Sequence, residues 1–535
     1  MVDGELFFPV GIYEAAVTDG ALDEYRRAGF NTVRIRGGSP GATVLTLERL
    51  EHHDLKAWIA LAHAIDLSKR TEERKAAMAA MAACIADHPA LLLWESRDEP
   101  AWTSASADGL RAGYRYLRKL DPQHPVWTNH APRNTIDTLV HFNRATDIAG
   151  CDIYPVPEPQ TQSNLPNKTL SVVADEADKN VEAVNGEKPI FMVLQGFAWR
   201  MLRDRNASDA VFPTLAEHRY MAYASVLHGA NGIMYWGTHA TRKPSPAWAD
   251  IKTMVHELNA MQPFLTGRDA ETPPTVSSPA ASVEALLRSR DGHWYCAVVN
   301  NAAAPARVRL SGLPEPEGAW RALYERPERL TVEGARVTMQ LAGYGVAVLT
   351  TDTEIDDTRP EYSEDRAARQ PAVGREAMTE PGNLLVNPSF EYDVFGNGTP
   401  DHWHVRYPFS VLLDRDVRRS GAASLRFESP DEEFRPLVVQ RNVPVTGNTA
   451  YDLSVYYRSA QPGIRVRIYA ECVLGGQYHS FVAPWEEATG GDWKRLEYRF
   501  TATPPPGDAL YVVLQTEGKG TVWFDDVRLR EAPGQ

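Results

Sequence analysis

The chain has 535 residues, 43% hydrophobic and 24% charged, with a formal net charge of −14 at pH 7. This length predicts roughly two to four domains, and the composition excludes a largely disordered or collagen-like chain. So acidic a chain has no overall attraction to nucleic acid or anionic membranes, and no apolar run approaches the roughly 20 residues of a membrane span. The N-terminus lacks a basic segment followed by an apolar run, so we expect no signal peptide in this sequence.

Up to about residue 267, short apolar runs alternate with amphipathic stretches. Continuous apolar runs are typical of parallel strands that are buried on both faces. Eight strand–helix repeats in this length predict an α/β fold, a TIM or (β/α)8 barrel. A doubly wound sheet is the alternative, but no glycine-rich phosphate loop follows the first strand. The eight runs are 8–13, 32–35, 57–62, 91–94, 125–128, 148–151, 189–194 and 232–236.

Polar and aromatic residues follow nearly every predicted strand. In such barrels the active site lies at the carboxyl ends of the strands, so these residues are expected to meet at one rim. Helix capping could explain any one of them but explains the whole ring poorly. The candidate substrate-binding residues are Glu14, Arg36, His63, Asp66, Asn129, His130, Asp152, Tyr154, Phe197, Trp199, Trp236 and His239.

The fourth run continues into the segment 94–100, Trp-Glu-Ser-Arg-Asp-Glu-Pro. Here the sequence resembles the large clan of (β/α)8 glycoside hydrolases that includes cellulases, mannanases and β-galactosidases, in which the fourth strand ends in Asn-Glu-Pro. The resemblance covers about half of the chain and implies that Glu99 is the general acid/base. Positions where the clan keeps an Arg, a Tyr and a sugar-platform Trp are matched by Arg34 or Arg36, Tyr154 and Trp236.

Two positions depart from the clan's pattern. The clan's nucleophile is a Glu that ends strand seven, whereas this chain has Gln195, an amide that cannot form the usual glycosyl-enzyme ester. Asp98 replaces the clan's Asn and puts two carboxyl groups side by side, which would raise the pKa of Glu99 as a general acid requires. Glu99, Asp98 and Gln195 are therefore the candidate catalytic positions.

Three functions stay open. In the first, the protein is an O-glycosyl hydrolase whose second group is Glu14, Asp66 or Asp152, and a base about 6.5–9.5 Å from Glu99 would imply inversion. In the second, Asp98 and Glu99 act like the acidic pair of substrate-assisted hydrolases of 2-acetamido sugars. In the third, the barrel binds carbohydrate without cleaving it.

The alternative to all three functions is that the two acids have a purely structural role. Asp98 could pair with Arg36 or Arg97, and Glu99 could cap a helix. No cofactor is expected for catalysis. The candidate residues include three imidazoles, but their spacing is not a metal motif, so we expect them to hydrogen-bond sugar hydroxyls. The four cysteines are far apart and predict free thiols.

The second half of the chain reads as all-β. Strand-like runs separated by turn signals predict a small β-sandwich, and a stretch rich in Pro, Glu, Asp and Arg predicts a linker. The predicted domains are the barrel 1–268, the sandwich 269–353, the linker 354–382 and a C-terminal jelly roll 383–535.

The jelly-roll prediction depends on three segments, 383–391, 418–425 and 523–529. In that order they resemble jelly-roll carbohydrate-binding modules, which implies a poly- or oligosaccharide partner. The resemblance also implies a structural Ca²⁺ held by Glu391 and Asp525, although both could simply satisfy turns. A protein of this kind is expected to be secreted, periplasmic or at the cell surface. The candidate ligand aromatics are Tyr456, Tyr457, Tyr469, Tyr478 and Trp485.

Overall fold

A computed structural model describes most of the chain, in two compact units. The first unit takes most residues up to 369, and the second takes those from 370 onward with two short segments before residue 50. No helix in the described part has the length and apolar character to cross a bilayer. The described residues are 2, 4–13, 18–204, 207–279, 282–315, 319–368, 373, 375–407, 410–432, 434–474, 477–503 and 510–533.

Eight parallel strands close into a barrel in the order β1 to β8, so the predicted TIM-barrel class is confirmed. Every residue of the fifth, sixth and seventh strands is buried, as their continuous apolar runs predict. The strands are β1 Val10–Ile12, β2 Thr32–Arg36, β3 Lys56–Ala60, β4 Leu91–Glu95, β5 Val126–His130, β6 Ile148–Ile153, β7 Ile190–Gln195 and β8 Ala230–Trp236.

Several helices begin at side chains that cap free N–H groups. The Ser106 hydroxyl accepts from Gly109 N, and Thr214 forms a capping box with Glu217. Such caps fix where each strand-to-helix loop ends and therefore hold the rim in place. The helices are α1 Asp19–Ala28, α2 Pro40–His52, α3 Thr71–Ile85, α4 Ala107–Leu120, α5 Ile136–Phe142, α6 Val172–Ala183, α7 Trp199–Arg203, α8 Leu215–Leu227, α9 Pro246–Ala260, α10 Gln262–Leu265 and α11 Ser363–Ala367.

A β-sandwich follows the barrel in the same unit. Its sheets have the orders β10-β13-β16-β15 and β14-β17-β12-β11-β9, and buried residues of both, among them Val298 and Val308, form one core. The strands are β9 Arg268–Asp269, β10 Thr275–Ser277, β11 Val283–Arg290, β12 His293–Asn300, β13 Ala306–Ser311, β14 Arg321–Leu323, β15 Glu328–Glu333, β16 Arg336–Leu341 and β17 Val346–Thr350.

The second unit is a larger two-sheet β-sandwich. One sheet has the order β18-β21-β27-β23-β24, with β25 also paired to β23, and the other has the order β19-β20-β28-β22-β26. Side chains of both sheets, such as Ile468 and Phe524, share one core, as the jelly-roll prediction requires. The strands are β18 Trp403–Val405, β19 Val411–Asp414, β20 Ser424–Ser429, β21 Leu437–Val443, β22 Ala450–Ser459, β23 Pro462–Leu474, β24 Gln477–Val482, β25 Glu486–Thr489, β26 Lys494–Thr501, β27 Leu510–Glu517 and β28 Gly520–Glu531.

A buried ion network joins the barrel to the small sandwich. Arg219 of α8 donates from Nε to both carboxylate oxygens of Glu257 of α9, at 3.0 and 3.1 Å. Arg219 also binds Glu325 at 2.9 Å, and Arg359 binds Glu257 at 3.0 Å. Arg359 belongs to the predicted linker, so the start of that segment contacts the barrel. The predicted domain boundaries themselves stay predictions.

We expect Glu257→Gln to lower the free energy of unfolding by about 3–5 kcal/mol, because the buried charge of Arg219 would lose its fully buried carboxylate partner. Glu257 is fully buried, whereas the side chain of Glu325 is 49% exposed. The matched control Glu325→Gln should cost about 1 kcal/mol or less. Urea unfolding of the two variants checks this, and equal losses would contradict it.

Candidate functional site

The floor of the site is a buried ion pair between strands β2 and β4. Arg34 donates from Nε and Nη2 to the two oxygens of Glu95, at 2.7 and 2.5 Å. Trp58 of β3 donates its indole N–H to the same carboxylate at 2.7 Å. Burial works against the guanidinium charge, but Glu95 raises the pKa of Arg34 above its ordinary value. Glu95 is therefore a fixed, compensated anion at the carboxyl end of the barrel.

Asp98 lies on the loop that leaves β4, close to this pair. Its Oδ1 accepts a hydrogen bond of 3.0 Å from Asn129 Nδ2 at the end of β5. Burial, and after it the charge of Glu95, raise the pKa of Asp98 to about 6. Asp98 thus changes its charge in the mildly acidic range.

The carboxyl groups of Glu99 and Asp152 lie within hydrogen-bonding reach of each other. Glu99 has a left-handed backbone with φ of +44°, and its N–H donates to Asn129 O at 3.0 Å. Such a φ is uncommon for a residue with a Cβ and is typical of functional positions. Asp152, at the end of β6, is only 7% exposed, whereas Glu99 is partly exposed.

The electrostatics of this pair favour one shared proton. Burial raises the pKa of Glu99, while the hydrogen bond from Asp152 opposes that rise. Burial and then the Glu99 charge raise the pKa of Asp152 well above its usual range, and the Tyr154 hydroxyl, which donates to Asp152, lowers it. Two such carboxyl groups in contact cannot both ionise readily, so the deeper Asp152 carries the proton and Glu99 accepts from it.

Aromatic side chains pack together at the ends of β6, β7 and β8. The Tyr154 ring stacks on Trp236 with centroids 5.4 Å apart, and Phe197 lies 4.9 Å from Trp236 and 5.1 Å from Trp199. His239 contacts Trp236 edge-on at 5.5 Å. Since Tyr154 also reaches Asp152, this cluster adjoins the carboxyl pair and offers apolar faces to a ligand.

Gln195 is fully buried at the end of β7. Its Oε1 accepts from Val156 N at 2.9 Å, and its Nε2 donates to Val156 O at 2.8 Å and Phe197 O at 2.9 Å. The amide thus fastens the loops after β6 and β7 to each other. A carboxylate could not donate those two bonds, which gives a physical reason for the amide at this position.

Other predicted site residues have different surroundings. Asp66 accepts from Ser68 N at 3.0 Å and Ser106 N at 3.4 Å, so its oxygens face backbone amides. His63 contacts Arg97, and burial together with Arg97 lowers the pKa of His63. Arg36 is exposed, and Glu14 lies outside the described residues.

His130, predicted at the end of β5, is fully buried and does not line an open cleft. Its Nε2 lies 2.8 Å from Asn143 Oδ1, and burial lowers the pKa of His130 to about 4. The imidazole is therefore neutral at ordinary pH.

The structure adds Glu95, Trp58 and Tyr13 to the site. Tyr13, at the end of β1, is buried, and its ring lies 4.8 Å beneath the Arg34 guanidinium. Arg34 and Glu95 lie on predicted strands two and four. Residues within a barrel strand are expected to belong to the core, so the sequence did not indicate that these two form part of the site. Each is a charged residue at an otherwise apolar strand, and this pattern could have indicated a buried ion pair.

The predicted calcium ligands, Glu391 and Asp525, both contact the turn 419–423. Glu391 accepts from Ala422 N at 2.7 Å, and Asp525 accepts from the N–H groups of Arg419 and Ser420 at 2.8 and 3.1 Å. Amide N–H groups carry partial positive charge, so they satisfy part of the negative charge that Ca²⁺ would otherwise compensate. Within the described ranges, no three His, Cys, Asp or Glu side chains group as a metal site. The calcium site stays a prediction.

Residues 382–521 match the family model of a carbohydrate binding domain, CBM_4_9. The predicted combination of a TIM barrel with a C-terminal carbohydrate-binding module is confirmed. A search of curated proteins gave no match.

Several solved structures are similar to parts of the chain. A GH30 endoxylanase from Clostridium papyrosolvens has 11% identity and a TM-score of 0.42, over 65% of this chain and 96% of that one. An α-amylase from Geobacillus thermoleovorans has 8% identity and a TM-score of 0.44, over 65% and 98%. The CBM22-1 xylan-binding domain of Paenibacillus barcinonensis Xyn10C has 20% identity and a TM-score of 0.24, over 29% and 96%.

We expect Asp98→Asn to change the pH dependence of stability. Since the pKa of Asp98 is raised from 3.8 to about 6, ionisation disfavours the folded state, and the wild type loses stability relative to the variant as pH rises through that interval. Across that interval, the difference in unfolding free energy between the wild type and the variant should change by up to about 3 kcal/mol.

The control for that titration is Asp66→Asn. Burial raises the pKa of Asp66, but hydrogen bonds from the Ser68 side chain and from the backbone N–H groups of Ser68 and Ser106 lower it below its ordinary value. The wild type should gain stability over this variant as pH rises, which is the opposite slope. Urea unfolding at a series of pH values measures both. Equal slopes for the two variants would contradict the assignment of Asp98.

Proposed function

We propose that the barrel is an O-glycosyl hydrolase in which Glu99 delivers a proton to the glycosidic oxygen and Asp152 stores that proton. This proposal is supported most by the proximity of the two carboxyl groups, with the pKa of each raised by burial. A general acid must be protonated when the substrate arrives, and a buried pair that shares one proton meets this need near neutral pH.

The burial of the two groups suggests the direction of transfer. Glu99 is the more exposed member, so the substrate's oxygen would approach it, while Asp152 lies behind it. Asp152 passes its proton to Glu99, and Glu99 delivers that proton to the oxygen while the electron pair of the breaking C–O bond goes to the leaving group. A water molecule forms the new bond to the anomeric carbon, and the proton that it loses later restores the carboxyl pair. The Tyr154 hydroxyl then stabilises the Asp152 carboxylate by hydrogen bonding.

The sugar would lie against the aromatic side chains at the ends of β6 to β8. Trp236 and Trp199 are partly exposed there, and sugar C–H faces stack on such rings. We propose that the C-terminal module, whose family model is that of a carbohydrate binding domain, holds the same poly- or oligosaccharide. Because structural polysaccharides lie outside the cytoplasm, we propose that the protein acts in the medium, in the periplasm or at the cell surface.

A second candidate is substrate-assisted hydrolysis of a 2-acetamido sugar. It is favoured by Gln195, whose amide is engaged by backbone groups, and by Asp98, which lies next to Glu99 with a raised pKa. In this version the sugar's own acetamido oxygen attacks the anomeric carbon and Asp98 accepts the acetamido N–H. Hydrolysis restricted to 2-acetamido glycosides would favour substrate assistance over the first mechanism, in which water attacks with the help of a protein base.

We expect Glu99→Gln and Asp152→Asn each to lower kcat on a hydrolysed aryl glycoside or oligosaccharide by about 100-fold or more, as loss of general acid catalysis does. An aryl glycoside with a good leaving group should lose less in Glu99→Gln, because its departure needs less protonation. Steady-state kinetics on a panel of neutral, acidic and 2-acetamido glycosides measures this.

Glu176→Gln is the matched control for these variants. Glu176 is buried on α6 and burial raises its pKa, yet it contacts Lys179 and Cys151 rather than the carboxyl pair. This variant should keep its activity within about twofold of the wild type. Unchanged turnover in Glu99→Gln would refute the acid assignment, and no turnover of any glycoside by the wild type would favour the non-catalytic binding function.

A further inference from the structure

One face of the six-stranded sheet in the second unit carries an unusual arginine. On β23, Val466, Ile468 and Ala470 point into the core, so Arg467 and Tyr469 lie on the opposite face. The Arg467 guanidinium carbon is 4.1 Å from the Trp485 ring centroid and 4.9 Å from that of Tyr469. Two of the five candidate ligand aromatics therefore share one face with this arginine.

The remaining candidates do not join this face. Tyr457 is in the core, and the side chain of Tyr478 lies outside the described residues. Tyr456 packs under Arg419, with the guanidinium 3.5 Å from its ring centroid. Tyr456 is on β22 of the other sheet, so it does not belong to the cluster of Arg467, Tyr469 and Trp485.

Arg467 has no carboxylate partner in the described part of the chain. Its Nε and Nη2 donate to Oε1 of Gln515, its cross-strand neighbour on β27, at 2.9 and 2.6 Å. Nearby Arg465 and Arg435 differ, because both pair with Glu517. Gln515 is 7% exposed, and its NH2 group makes no hydrogen bond to any described residue. Unused donors of Arg467 and Gln515 therefore remain on one face.

We infer that Arg467, Gln515, Tyr469 and Trp485 form a binding site for the carboxylate of an acidic sugar, a uronate unit of a polysaccharide. A guanidinium that lies over two aromatic rings offers two parallel N–H groups that match a planar carboxylate, and the Gln515 amide can add a third donor. The guanidinium lies over the Trp485 ring, where a neutral sugar would otherwise stack. An unpaired cation in a chain of net charge −14 also attracts an anionic ligand locally.

This inference rests on the carbohydrate binding proposed above and names the ligand class and its contacts. The test uses the full chain and two polymers, polygalacturonate and the same polymer with its carboxyl groups reduced to alcohols. Affinity electrophoresis at physiological ionic strength gives a Kd for each. The wild type should bind the carboxylated polymer about tenfold or more tighter, the size expected for a charge-assisted hydrogen bond.

Arg467→Gln should remove that preference and weaken binding to polygalacturonate by about tenfold or more. The control Arg499→Gln makes the same charge change on β26 of the other sheet, where Arg499 pairs with Asp452 at 2.6 and 2.8 Å. It should keep the Kd within about twofold. Unchanged near-UV circular dichroism of Arg467→Gln, including its Trp signals, confirms that the module is folded.

Four results would overturn the inference. Equal binding of the two polymers would exclude recognition of the carboxylate while leaving carbohydrate binding intact. Equal losses in Arg467→Gln and Arg499→Gln would indicate a diffuse charge effect rather than a site. A sulfated glucan bound as tightly as polygalacturonate would exclude selection of a planar carboxylate. Binding to no glycan, neutral or acidic, would remove the proposed carbohydrate-binding function as well.

Discussion

Four carboxyl groups, those of Glu95, Asp98, Glu99 and Asp152, lie close together at the carboxyl end of the barrel, where burial, followed by the repulsion between neighbouring carboxylates, sets the chemistry. Arg34 compensates Glu95 directly and is held by that carboxylate. Because the buried guanidinium is committed to Glu95, the Glu99–Asp152 pair lowers its charge by keeping one proton. Burial raises the pKa of Asp98, Glu99 and Asp152, and neighbouring carboxylates raise those of Asp98 and Asp152 further.

The same constraint explains how the loops after the strands are held. Asn129 binds the side chain of Asp98 and the backbone of Glu99, so the end of β5 supports both acids in an otherwise unfavourable left-handed turn. Gln195 satisfies three backbone groups after β6 and β7 and thereby supports the loops that carry Tyr154 and the aromatic cluster. A site with stored protons and fixed dipoles is arranged to protonate a leaving oxygen without reorganisation.

Much of this architecture could be predicted from sequence because it depends on local patterns. The continuous apolar runs predict the eight barrel strands, and the Asp98-Glu99 segment after β4 predicts where the acids lie. Which side chains contact each other could not be predicted, because this depends on strand twist and on residues distant in sequence. Arg34 rather than Arg36 faces inward, and Asp152 rather than Asp66 lies next to Glu99. The amide donors around Glu391 and Asp525 are equally invisible to a motif, as they come from the backbone.

The central claim is that Glu99 and Asp152 share one proton at neutral pH. Difference infrared spectroscopy of the carboxyl C=O stretch tests this most directly, on the wild type and Asp152→Asn at a mildly alkaline pH where Asp98 is ionised. We expect a protonated-carboxyl band in the wild type that shifts in deuterium oxide and is lost in Asp152→Asn. A wild type without that band would mean that both acids are ionised, which would contradict the proposed proton store.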